Sequence, residues 1–193
     1  MNDDSVVIGL TGPNAAGKGE VCKYLSKKSF IVFSLSDVLR EVAYKKSIEI
    51  TRENLIYLGN KLRTQYGSGY LAKKLIKKIK KYNKVVIDSI RNIGEIKEFK
   101  REFKDKFFLI YITAPKKTRF KFLKKRGRKG DPKTYKEFLA VEKRECSNKK
   151  NQQQIHLCKK HADFFINNNS SLDMLYKKVD TILSKIFRSV LQK

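Results

Sequence analysis

Between an apolar run, VVIGL (residues 6–10), and an amphipathic one, EVCKYLSKK (20–28), the chain carries GPNAAGK, Gly12 to Lys18. The pattern G-x-x-x-x-G-K in that setting obliges the start of the chain to build a strand, a tight loop and a helix in succession. Small residues let consecutive backbone N–H groups turn inward around a phosphate. The helix N-terminus adds partial positive charge there, and a lysine at the end of the loop reaches the β and γ oxygens. The stretch Gly12, Pro13, Asn14, Ala15, Ala16, Gly17, Lys18, Gly19 and Glu20 is therefore the expected nucleotide-binding segment. Its end is unusual. Gly19 stands where a hydroxyl ordinarily helps to hold magnesium, and Glu20 follows it, so metal coordination is the weakest part of the motif.

A first strand of this kind needs neighbours, and the sequence supplies them. SFIVFSL (29–35), KVVIDSI (84–90), KFFLIYIT (106–113) and DFFIN (163–167) are short, rich in β-branched and aromatic residues, and several are apolar on both faces. Strands of that type lie inside parallel sheets. The segments between them have helical period: Leu39, Val42 and Ala43 share a face, as do Leu55, Leu58 and Leu62, and Leu71, Leu75, Ile76 and Ile79. A last helix, about 172–191, aligns Leu175, Val179, Ile182, Ile186 and Val190. Alternating strands and helices predict an α/β three-layer P-loop NTPase fold with a five-stranded, mainly parallel sheet. At 193 residues and 40% hydrophobic content, residues 1–193 are expected to form one domain.

The opening MNDDSVV is neither a secretory leader nor the start of a membrane span, which predicts a cytoplasmic protein without a membrane partner. Cys22, Cys146 and Cys158 lack pairing or zinc-type spacing and read as reduced thiols. The net charge of +26 concentrates polyanions, nucleotides and nucleic acid alike. The lysines are spread along the chain and greatly outnumber the arginines, as a compositional bias produces. Nucleic-acid binding is therefore expected to be weak and non-specific at most.

Four further groups carry chemistry. Asp88 ends a buried strand, where open α/β sheets collect ligand residues; it can orient magnesium between phosphates or cap the next segment. Arg91 lies three residues on, within reach of an anionic acceptor. In SLSDVLRE, Ser34 and Asp37 are spaced like a capping box. The alternative is that Asp37 and Arg40 face the acceptor, the acid near the attacking oxygen and the arginine on its phosphate. Arg63, near a helix end before Gly67 and Gly69, is a second candidate phosphate ligand. In TRFKFLKKRGRKGDP, Arg119 and Arg126 share a helical face ahead of Arg128 and Asp131. This is either a lid whose arginines neutralise a transferring phosphoryl group or an exposed basic face for RNA or DNA.

With these residues in place the chain resembles the P-loop nucleotide kinases, in the branch of adenylate kinase and dephospho-coenzyme A kinase. It is most similar to the kinase-like domain that precedes deoxycytidylate-deaminase domains. The likeness covers about residues 6–175 and rests on LGNKLRTQYGSGYLA, VVIDSIRNIGEI, FFLIYITAPKKTRF and QQQIHLCKKHADFFINNN. The resemblance implies an acceptor-binding helical insertion at about 36–72, a short lid at about 116–135, and Asn167, Asn168, Asn169 and Ser170 near the nucleotide base. It also implies a phosphotransferase using ATP and Mg2+ on a nucleoside or deoxynucleoside monophosphate. Lys18, Asp37, Asp88, Arg119, Arg126 and Arg128 would serve catalysis, Asp88 the metal, and Arg40, Arg63 and Arg91 the acceptor. Two other readings stay open: a non-catalytic nucleotide sensor and a dephospho-coenzyme A kinase. His156 and His161 lack the H-x-E and P-C-x-x-C partners of a zinc deaminase. Any deaminase or regulatory partner would then be a separate protein.

Overall fold

The computed structural model describes residues 5–128 and 130–192. In chain order these form β1 (Val6–Thr11), α1 (Lys18–Lys27), β2 (Ile31–Ser34), α2 (Leu35–Lys45), α3 (Arg52–Tyr66), α4 (Tyr70–Ile79) and β3 (Lys84–Ile90). The second half adds α5 (Ile93–Phe103), β4 (Phe107–Thr113), α6 (Lys116–Arg126), α7 (Tyr135–Glu145), α8 (Ile155–Cys158), β5 (Phe164–Asn167) and α9 (Leu172–Leu191). The strands make one sheet in the order β2-β3-β1-β4-β5, every pair parallel.

Strand alternation divides the core between the two faces of that sheet. Val7, Val85, Ile87 and Leu109 point to one side, against the apolar stripes of α2, α3, α4 and α5. Val6, Ile8, Val86, Ile110 and Ile112 point to the other, against Val21 and Leu25 of α1 and Leu175, Val179 and Ile186 of α9. The helical faces expected for α2, α3, α4 and α9 are those that pack. The apolar run of β2 has a different reason: it is an edge strand, with Ile31 and Val32 about two-fifths exposed at 42% and 41%.

Two local features aim the site. Gly9 pairs with Ile87 but Thr11 with Ile90, so β3 holds one more residue than β1 over that interval. The bulge falls at Asp88 and Ser89, with Ser89 in the left-handed region at φ 66°. Bulges of this kind re-aim a side chain at a strand end. The Thr11 hydroxyl donates to the Ile90 carbonyl at 2.8 Å and fixes the two strand ends together. Among the described residues, no helix is long and apolar enough to cross a membrane.

Candidate active site

The loop after β1 has the curvature its sequence predicts. Gly12 has φ 124°, and a Cβ there would lie 2.0 Å from the Ile112 carbonyl oxygen; Gly17 has φ 104°, and a Cβ would meet the Asn168 amide nitrogen at 2.4 Å. No side chain with a Cβ fits either place. The loop therefore lies against the ends of β4 and β5. Asn168 donates to the Ala16 carbonyl at 3.0 Å, and its own backbone N–H donates to the Thr113 carbonyl. Lys18, 9% exposed, folds back over the loop and donates to the carbonyls of Gly12 and Pro13, both at 2.8 Å. Burial lowers its pKa to about 8, against the pull of Asp88 and Glu145.

From this lysine a cleft of about 1200 Å³ runs across the carboxyl ends of the strands. Its first end is walled by Asn14 to Glu20 and Lys23 of the loop and α1, by Asn168, Ser170, Leu172 and Leu175, and by Phe122, Lys125, Arg126 and Arg128. Its other end reaches Leu35, Leu39 and Arg40 of α2, Ile50 to Arg52, Leu55 and Ile56, and Arg91. Asp88 lies between the two, and its Oδ1 is buried with no hydrogen-bond partner. Ser89 donates to its other oxygen at 3.2 Å.

Several expected site residues are engaged in other contacts. Arg63 is 2% exposed; its Nε and Nη2 donate to Glu95 Oε1 at 3.1 and 2.8 Å, and only Nη1, buried and without a partner, is left for the cleft. Asp37 is exposed and outside the cleft wall, where it accepts from Arg40 at 2.6 Å one turn along α2. The helix cap is Ser34 alone, its hydroxyl accepting from Ser36 N. Arg119, 4% exposed, turns inward and does not line the cleft. It donates to the carbonyls of Ala114 and Asn14 and pairs with Glu142, so it braces the phosphate loop against α6 and α7. Asn167 is exposed at the end of β5, while Asn168 and Ser170 line the cleft. Arg126 lines it too, held by Asp131 at 2.6 and 3.1 Å.

Arg52, Glu145 and Gln153 also line the cleft, and none was singled out from the sequence. Glu145, at the end of α7 and 2% exposed, accepts on Oε1 from Arg52 at 2.5 Å and Arg91 at 2.9 Å. Burial pushes its carboxyl up, but Arg91 and Arg52 pull it further down, so the net shift is downward. Gln153 shares Arg91 at 3.1 Å. The loop around Gln153 is anchored on the β3 end as well: Asn92 donates to the Lys150 and Gln152 carbonyls, and Gln154 N donates to the Arg91 carbonyl. A signal for α7 was present in the sequence, since Thr134 and Glu137 have capping-box spacing, and Thr134 does accept from Glu137 N.

The residues present fit a magnesium ion in one respect. The unpartnered Asp88 oxygen at the strand end is a hard acceptor suited to the ion or its water, whereas Gly19 offers no hydroxyl. Among the described residues no cluster of acids, histidines and cysteines forms an all-protein metal cage. Such an ion would depend on nucleotide phosphates for the rest of its shell.

Comparison with known proteins agrees with this architecture. Residues 8–150 match the family described as an AAA domain. A UPF0200 protein of Pyrococcus horikoshii is 37% identical over 186 residues, 94% of this chain and 97% of that protein. A UPF0200/UPF0201 protein of Archaeoglobus fulgidus is 32% identical over 95% of this chain, but the match spans only 57% of the relative. The crystal structure of TT1252 from Thermus thermophilus superposes with TM-score 0.65 at 18% identity, covering 94% of this chain and 97% of that one. A shikimate kinase from Acinetobacter baumannii in complex with shikimate gives 0.56 at 16% identity, covering 94% of each chain. The fold is that of the P-loop kinases, and the chain belongs to the UPF0200 family.

Proposed function

We propose that this UPF0200 protein is an ATP-dependent phosphotransferase whose acceptor is a nucleoside or deoxynucleoside monophosphate. The observation that carries the reading is the two-ended cleft: Lys18 and the phosphate loop at one end, Arg40 and Arg91 at the other, and Asp88 between. At about 1200 Å³ it exceeds the roughly 300–1,000 Å³ of a pocket for one small ligand. Room for a donor and an acceptor in line is what transfer requires and mere nucleotide retention does not.

A monophosphate attacks through an oxygen already charged at neutral pH, so no general base is needed and the exposed position of Asp37 is no obstacle. The protein's part is placement and charge. The Lys18 ammonium exchanges the Gly12 and Pro13 carbonyls for phosphate oxygens. Arg126, at the end of α6, and Arg128, in the loop that follows, approach as a lid within 116–135, and Arg40 and Arg91 orient the acceptor. Asp88 would hold Mg2+, which, when bound, would offset negative charge on the donor's phosphates. The whole chain acts as one cytoplasmic domain in this reading, with residues 36–72 forming the acceptor region.

The test is a product assay with ATP labelled at the γ-phosphate, magnesium, and a panel of ribo- and deoxyribonucleoside monophosphates plus dephospho-coenzyme A. Transfer to a monophosphate is expected. Transfer to dephospho-coenzyme A alone reassigns the acceptor, and nucleotide binding without transfer to any of them refutes the reading. A second reading, a nucleotide-binding regulatory module, is favoured by Gly19 in place of a metal-binding hydroxyl and by the Archaeoglobus relative, of which this domain matches only 57%.

A further inference from the structure

Glu145 is a carboxylate in an unfavourable place. It closes α7, where the helix dipole is negative, and it is almost wholly removed from water. Neither helix stability nor burial selects an acid there. What holds it is two guanidinium groups from different elements, Arg52 at the first position of α3 and Arg91 beyond β3, converging on the single oxygen Oε1. Arg52 is at the positive end of the 15-residue α3. Asp131 of the lid loop approaches the same arginine at 4.0 Å while gripping Arg126.

The cations around this point are not used up by these contacts. Arg52 Nε is buried without a partner, and so is Nη1 of Arg63, whose residue is 2% exposed and lines the same cleft. The place is also close to the transfer centre. Lys18 and Glu145 each feel the other's charge, the acid raising the lysine's pKa and the lysine lowering the acid's. Convergent guanidinium groups with spare donors, at a helix N-terminus beside the phosphate loop, are the chemistry of oxyanion recognition.

We infer that Arg52 and Arg91 form the seat for an oxyanion of the acceptor, and that the Glu145 carboxylate is its internal occupant, displaced when the acceptor enters. The inference rests on the reading of the cleft's far end as an acceptor site. It assigns the anion to Arg52 and Arg91 and gives Arg40, exposed and tied to Asp37, a place at the rim. It also couples acceptor entry to the lid, because the carboxylate that must leave belongs to α7 and the Asp131 that approaches Arg52 to the lid loop.

The experiment is calorimetric titration of inorganic phosphate into the protein saturated with a non-hydrolysable ATP analogue, which fills the phosphate loop. Glu145→Gln, which keeps the shape and removes the competing charge, should tighten phosphate binding at least tenfold, and Arg52→Gln should weaken it at least tenfold. ATP affinity should stay within a few-fold in both. A folded Glu145→Gln protein with phosphate affinity unchanged or weaker makes Glu145 a strut and overturns the inference, as does failure of both parent and variant to bind phosphate. Should Glu145→Gln not fold, an Arg52→Gln protein that binds phosphate like the parent overturns it alone. The kinase reading fails separately: the product assay can show no transfer while the phosphate titrations still follow the expected order.

Discussion

Replacing Arg63 by methionine tests whether that arginine is a strut or a ligand. Its guanidinium gives two hydrogen bonds to Glu95 Oε1, and Glu95 Oε2 accepts from the backbone N–H groups of Arg91 and Asn92 at 2.8 and 3.1 Å. The pair is dry, at 2% and 0% exposure, so removing the arginine strands a carboxylate among apolar neighbours. Breaking one side of a buried pair costs about 3–5 kcal/mol. With a urea slope of about 2 kcal/mol per molar, the unfolding midpoint of Arg63→Met should fall by about 2 M. Adding Glu95→Gln should then restore stability, because the amide oxygen still serves Arg91 N and Asn92 N while the uncompensated charge is gone. Recovery of at least about 2 kcal/mol in the double variant is expected. A single-variant loss under about 1 kcal/mol, or further destabilisation by Glu95→Gln in the methionine background, refutes the account and returns Arg63 to the acceptor.

Two further outcomes follow from the phosphate end. Because burial holds Lys18 at a pKa of about 8 and only its ammonium form neutralises phosphate, ATP affinity should be flat below pH 8 and weaken by up to about tenfold per unit above it. Calorimetry from pH 7 to 9.5 checks this, and a dissociation constant that stays level to pH 9.5 refutes it. Asp88→Asn should keep ATP affinity but abolish its dependence on magnesium, measured by titration with and without EDTA, since the amide keeps the shape and loses the charge. Unchanged magnesium dependence would leave Asp88 a structural residue of the β3 bulge.

The sheet was legible because each strand is a local apolar run, and the phosphate loop because its glycines stand at fixed offsets behind one. Long-range polar pairing was not. Arg119 and Arg126 share a face by helical period, yet Arg119 turns back five residues to the Ala114 carbonyl and across to Asn14, which no period encodes. Arg63 reads as a free cation near a helix end until α5 places Glu95 against it. Glu145 escaped for a similar reason: in TYKEFLAVEKRECS it is one acid among alternating charges, and its role exists only where residues 52 and 91 meet it. Asp37 and Arg40 are the converse case, one turn apart, so their pairing is local.

The same geometry bears on the meaning of the +26 charge. Much of it lies on outward lysines, and several of these are paired: Lys78 with Glu41, Lys80 with Glu102, Lys73 with Glu98. Those on α4 also flank its buried stripe, the ordinary solvated face of an amphipathic helix. A surface groove for nucleic acid would call for aromatic platforms interleaved with such cations. On α6, Phe120 packs on Tyr135 and Phe138 with Lys124 over its ring, and the exposed Phe122 lines the cleft. Lys125, Arg126 and Arg128 line the same cleft, so these cations face into it. A low-dielectric cleft focuses such a field, raising the local concentration of anions and their association rate while leaving recognition to the groups inside. Arg52 and Arg91, the arginines held by Glu145, are the ones that recognition can use, because their charge is screened least.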